Sequence, residues 1–271
     1  MPYNKDNFNE EDFKKLLDAL SEDLLNAGHH FRLFRNLEES MEKYERERKQ
    51  CPAFWELTIN AHLEVSLLYL CRAYDLNNDG QVLSLKELIK LIRKNTDLFN
   101  ISSLQERFKS HSFPDIFAPV LNEQLEQDLQ NQTLTDQLDK DWGFVSGSDN
   151  DSGNKDKKHL VKKLTILRGN LIAHRNIGQT LKDSLEPLTT EEVETLIEKG
   201  LEICNRYRAL FDGSIKFPHL ISGEDDYKRI LKYIRIGLKA IDFKNGIEPD
   251  PYITGMKAIE FSQEIDHDLS N

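Results

Sequence analysis

Apolar residues recur at three- and four-residue intervals along most of the sequence, as in Phe13, Leu16, Leu17, Leu20 and Leu24, and few segments alternate. That interval places side chains on one face of a helix, whereas a half-buried strand needs strict alternation. The pattern predicts an all-α fold, a helical bundle, with helices over 10–27, 29–49, 52–75, 84–95, 119–140, 156–178, 190–212, 224–241 and 252–267. No internal repeat interrupts it.

Segment 52–75 carries Phe54, Trp55, Leu57, Ile59, Leu63, Val65, Leu67, Leu68 and Leu70 around most of its circumference, the pattern of a helix enclosed by others. It is the expected central helix. Two starts have capping-box spacing, Ser84 with Glu87 and Thr189 with Glu192, in which hydroxyl and carboxylate satisfy orphan backbone donors. The stretch Ser146 to Asn154, SGSDNDSGN, reads as a mobile loop. After Pro218, two amphipathic segments flank the Pro249-Asp250-Pro251 turn. The expected organisation is N-terminal helices over 1–50 packing on a bundle over 51–215, followed by a C-terminal helical appendage over 216–271.

With 271 residues, 38% of them hydrophobic, the chain is long enough to bury a sizeable core. Cys51, Cys71 and Cys204 stand far apart with no CxxC pair, which argues against a disulfide framework or zinc site and fits a reducing cytoplasm. The N-terminal sequence lacks an apolar leader, and no apolar run approaches the roughly 20 residues of a membrane span. Cytoplasmic location without membrane contact is the expectation. A net charge of -11 argues against a general nucleic-acid coat. It leaves room for a local patch, and one exists: Lys155, Lys157, Lys158, Lys162, Lys163, Arg168 and Arg175 face the single acid Asp156 between positions 155 and 175.

Two candidate sites emerge. Asp75-Leu-Asn77-Asn-Asp79-Gly80-Gln-Val82 follows the opening of a calcium-binding EF-hand loop, with oxygen ligands at alternate positions and glycine at the turn. Its twelfth position, where a bidentate glutamate should close the shell, is Lys86, so a plain connection between helices is the favoured reading. The second candidate is Arg168-Gly169-Asn170-Leu171-Ile172-Ala173-His174-Arg175. An Arg and a His separated by four to six residues arise by chance about once in a chain of this composition. Helix geometry adds to it: Leu160, Leu164, Leu167 and Leu171 form one stripe, with Arg168 roughly 80° to one side and His174 roughly 40° to the other. Both flank the packed face, beside the lysines.

Phe54-Trp55-Glu56-Leu57-Thr58 with Ala61-His62, Leu70-Cys71-Arg72-Ala73-Tyr74-Asp75, Leu83-Ser84-Leu85, and Leu167-Arg168 through His174 together resemble the HEPN superfamily, within it the AbiU-type abortive-infection branch of bacterial proteins. The likeness spans about residues 50 to 215. It implies an all-α homodimer in which the Arg and His of each subunit meet across a cleft, acting as an endoribonuclease in phage defence or a toxin-antitoxin system, with RNA as substrate and an antitoxin or regulatory protein as a further partner. No cofactor or metal is implied. His174 would serve as general acid or base and Arg168 would stabilise the transition-state charge on phosphate. Lys158, Lys162, Lys163, Asn170 and Arg175 would contact RNA, with Asn170 also placed to orient the imidazole. Gly169 stands where the family often has a polar residue, marking close packing or a distortion that re-aims Arg168. Two rival readings stay open: a catalytically silent HEPN protein that binds RNA, nucleotide or a protein, and a purely structural interaction protein.

Overall fold

The structure, a computed structural model, describes residues 9–76, 82–109, 131–148, 160–168, 187–216 and 226–245. Among them the regular elements are helical: α1 (Glu10–Lys43), α2 (Glu45–Arg48), α3 (Pro52–Ala73), α4 (Leu85–Lys94), a 3-10 turn (Thr96–Phe99), α5 (Ile101–Lys109), α6 (Asn131–Ser146), α7 (Leu160–Leu167), α8 (Thr190–Asp212) and α9 (Asp226–Lys244). The all-α expectation holds. No helix among the described residues is long and apolar enough to cross a membrane. The helix expected over 252–267 and residues 149–154 of the expected loop lie outside the described residues.

Contacts divide the chain into two compact units, Met1–Phe34 with Asn60–Leu220, and Arg35–Ile59 with Ile221–Asn271. In the first, Phe13, Leu17, Leu20, Leu24, Ala27 and Phe31 are the buried stripe of α1. Where the sequence suggested two helices broken at Gly28, α1 runs through it. An interior glycine costs a helix only about 1 kcal/mol relative to alanine, less than burying a single leucine gains. The stripe meets α8, where a Cβ on Gly200 would lie 2.6 Å from Leu24 Cδ2 and 3.1 Å from the Tyr74 hydroxyl, so Gly200 permits the close approach. Phe13, Phe99 and Phe211 continue the core, with Phe13 and Phe211 centroids 4.7 Å apart.

α8 begins and ends where its sequence signals say. Thr189 and Glu192 form the reciprocal capping box, and Gly213 closes the helix at φ 72°, a left-handed conformation that glycine adopts without strain. Ser84 likewise accepts the Glu87 amide at 3.3 Å at the start of α4. The 3-10 turn and α5 were not anticipated. They are held by Arg107, which donates to the carbonyls of Phe211 at 2.7 Å and Leu98 at 2.8 Å and pairs with Glu10 at 2.6 Å. α6 docks on α8 through Asp141, whose carboxylate accepts from Tyr207 and Arg206, each at 2.7 Å, and from Gln137 at 3.0 Å.

In the second unit, Tyr227 of α9 donates to the Asn36 carbonyl at 3.2 Å and meets Ser40 Oγ at 3.0 Å. Arg235 pairs with the buried Glu47, donates to the Lys43 carbonyl and covers the Tyr44 ring. The expectation that α3 is enclosed needs correction here. Trp55 is buried, but Phe54 and Leu57 are 57% and 69% exposed. Apolar residues all round a helix signal burial only when neighbours cover every side.

Candidate functional site

α3 stops at Ala73 because the next two residues are tied elsewhere. The Tyr74 hydroxyl donates to the Leu196 carbonyl of α8 at 2.6 Å, and its full burial drives its pKa well above the ordinary phenol range. This anchor fixes the outgoing backbone. Asp75, directly after it, pairs with Arg168 at 2.5 Å, with side chains 10% and 41% exposed respectively.

Arg168 arrives from the other side. Val161, Leu164 and Leu167 are buried, pinning α7 by its apolar face, and Arg168 continues it in a looser π-type turn. Such turns concentrate at functional sites. Lys163 Nζ reaches Glu192 at 2.8 Å, and the second oxygen of that carboxylate accepts the Thr189 amide at 3.0 Å. Lys163 is thus a buried, ion-paired strut between α7 and α8. Lys162, one residue earlier, is exposed. Arg168 and Lys162 therefore reach solvent, whereas Lys163 points inward. His174, Asn170, Arg175 and Lys158 lie outside the described residues.

The surroundings bear on the chemistry. Cys71 sits close enough to feel Arg168 and Asp75, but burial pushes its thiol up to about 12, so it is not a thiolate nucleophile at neutral pH. Lys86, at the twelfth position of the calcium-like stretch, donates to the Leu76 carbonyl at 3.3 Å, and burial lowers its pKa. With Asp75 bound to a guanidinium and an ammonium beside Leu76, two positions of that stretch already hold protein ion pairs or donors. No group of three metal-ligating side chains occurs among the described residues. The arrangement instead supplies a fixed, partly exposed guanidinium. Arginine presents five donors in a planar fork, and Asp75 engages it at Nη1.

The pairing of Asp75 with Arg168 was missed in the sequence, where Asp75 drew notice as a turn ligand and as the end of one stretch that carries the family likeness, but with no role beside the arginine. Comparison with known families now supplies context: a family model described as AbiU2, of the HEPN group, matches residues 10–230. The chain belongs to the HEPN AbiU2 family. The match begins at the start of α1 and reaches into α9, beyond both ends of the likeness read from the motifs. No match was found among curated proteins or solved structures. Both members of the Asp75–Arg168 pair fall within the HEPN AbiU2 match.

Proposed function

We propose that this HEPN AbiU2 protein is a metal-independent endoribonuclease of phage defence or a toxin-antitoxin system, acting as a homodimer. The observation that carries the reading is a half-exposed Arg168 fixed by Asp75, in a chain of this family. In the reaction, the RNA 2'-oxygen bonds to the adjacent phosphorus while the bond to the 5'-oxygen breaks. A base removes the 2'-hydroxyl proton and an acid protonates the leaving oxygen, the roles assigned to His174, since imidazole serves either one near neutral pH. Arg168 carries the charge that builds on the phosphate oxygens. Asp75 is a positioning residue: it holds the guanidinium in one orientation before substrate arrives, so less freedom is lost on binding. Lys162 contributes a phosphate contact, with Lys158, Asn170 and Arg175 as further RNA contacts. Lys163 acts indirectly, by fixing α7.

A second reading, an inactive HEPN protein that binds RNA, nucleotide or a protein partner, is favoured by the same ion pair, because a carboxylate already neutralises Arg168. One experiment separates them. Wild type, Arg168→Ala and His174→Ala are incubated with mixed RNA in EDTA and the ends analysed. Cleavage by wild type alone, leaving 2',3'-cyclic phosphates, supports the nuclease. RNA binding without cleavage by a folded dimer supports the second reading. In either case Lys162→Ala should reduce the slope of log affinity against log salt by roughly one phosphate contact.

A further inference from the structure

We infer that His30 and His62 form a binding site for a divalent transition-metal ion of the nitrogen-preferring class, Cu²⁺ or Ni²⁺, on the seam between α1 and α3. The two Nδ1 atoms face each other at 2.9 Å, and the rings tilt by 31° with centroids 5.1 Å apart. Neither ring hangs on a loop. Each projects from the interior of a long helix, and the helices are tied close by where the Ser66 hydroxyl donates to the Ala27 carbonyl at 2.8 Å. Tyr69 stacks on His30 from the same helix as His62, with centroids 6.1 Å apart. The site is independent of the nuclease reading and uses none of its residues.

Two facing Nδ1 atoms attract only if one carries a proton and the other offers its lone pair. A metal ion can replace that proton and use both lone pairs. With metal-nitrogen distances of about 2.05 Å, a 2.9 Å separation subtends about 90° at the metal. That is the angle between neighbouring ligands in the tetragonal geometry of Cu²⁺ and Ni²⁺. A tetrahedral zinc site would need the nitrogens about 3.3 Å apart, so Zn²⁺ requires the helices or rings to part. Both histidines are half-buried, leaving an outer side where water completes the shell. No third His, Cys, Asp or Glu joins them among the described residues, so the ion is exchangeable, a removable clip between α1 and α3.

The test uses the full chain without a histidine tag. CuCl₂, NiCl₂ and ZnCl₂ are titrated separately by calorimetry at neutral pH, and the copper form is examined by electron paramagnetic resonance. One Cu²⁺ or Ni²⁺ per chain is expected, with two imidazole nitrogens coupled to copper. His30→Gln and His62→Gln should each weaken binding at least tenfold, about 1.4 kcal/mol, and leave one coupled nitrogen. Saturable binding that survives in the double variant would assign the ion to others of the eight histidines and overturn the inference, as would absence of saturable binding or a preference for Zn²⁺. Should a glutamine variant lose its helical circular dichroism, the wild-type copper spectrum still decides: without two imidazole nitrogens the site does not exist.

Discussion

A double-mutant cycle between Asp75 and Arg168 tests the geometry on which the functional reading stands. At about 4 Å between charge centres, two unit charges attract by about 4 kcal/mol at an effective dielectric of 20 and about 1 kcal/mol in water. Asp75 is 10% exposed and Arg168 41%, so solvent screens one partner strongly and the upper figure must be discounted. A coupling of about 1–2 kcal/mol follows, between exposed and buried pairs. Urea unfolding of wild type, Asp75→Asn, Arg168→Gln and the double variant, with unchanged m-values, measures it. The two single variants should differ in a set order. Asp75→Asn frees a guanidinium that turns to water, while Arg168→Gln leaves a mostly buried carboxylate facing a neutral amide, so the latter costs more. The coupling should also shrink in molar salt, where the Debye length falls to about 3 Å. A coupling under about 0.5 kcal/mol, within the scatter of independent sites, or the reverse order of the singles, would refute the argument.

Other outcomes follow from the same structure. Asp141→Ala should lower unfolding stability by about 3 kcal/mol, because it leaves the buried Tyr207 hydroxyl without its acceptor and unpairs Arg206 from α6; Tyr207→Phe should cost about 1 kcal/mol, and equal losses would show that Asp141 is not the hub. Thr189→Ala removes half of the capping box and should cost about 1 kcal/mol, read as a lower urea midpoint. Burial lowers the pKa of both His30 and His62, with the neighbouring ring adding to the effect on His30. The unfolded chain then binds more protons than the native one below about pH 6.5, the ordinary histidine value. Their contribution is complete above that pH and declines as pH falls towards the depressed native values. The metal-free His30→Gln/His62→Gln double variant should show a flatter loss as pH falls below about 6.5; an identical profile would remove these histidines as its cause.

What could be read from the sequence was whatever is local. α8 announces itself at both ends through Thr189, Glu192 and Gly213, because capping and left-handed closure depend on residues a few positions apart. The buried stripe of α1 was equally plain, yet Gly28 was mistaken for a break, since propensity does not register the α8 surface that covers it. α5 escaped notice because Arg107 secures it through carbonyls distant in sequence. Phe54 and Leu57 misled in the opposite direction, as composition cannot tell whether an apolar side has a neighbour. The site divides in the same way. Arg168 was found through its motif, whereas Asp75 is joined to it only by the fold, and Lys162 and Lys163, alike in sequence, part company because one lies on the packed face of α7.

A single carboxylate, Glu192, connects two events that helices usually keep separate. One oxygen closes the first turn of α8 and the other receives Lys163 from α7. When that turn frays, α7 loses its tether in the same opening, so amides of both segments should exchange with deuterium as one cooperative group. Arg168 stands at the end of α7, so the backbone that carries it shares one of its tethers with the first turn of a neighbouring helix, while Asp75 holds its guanidinium.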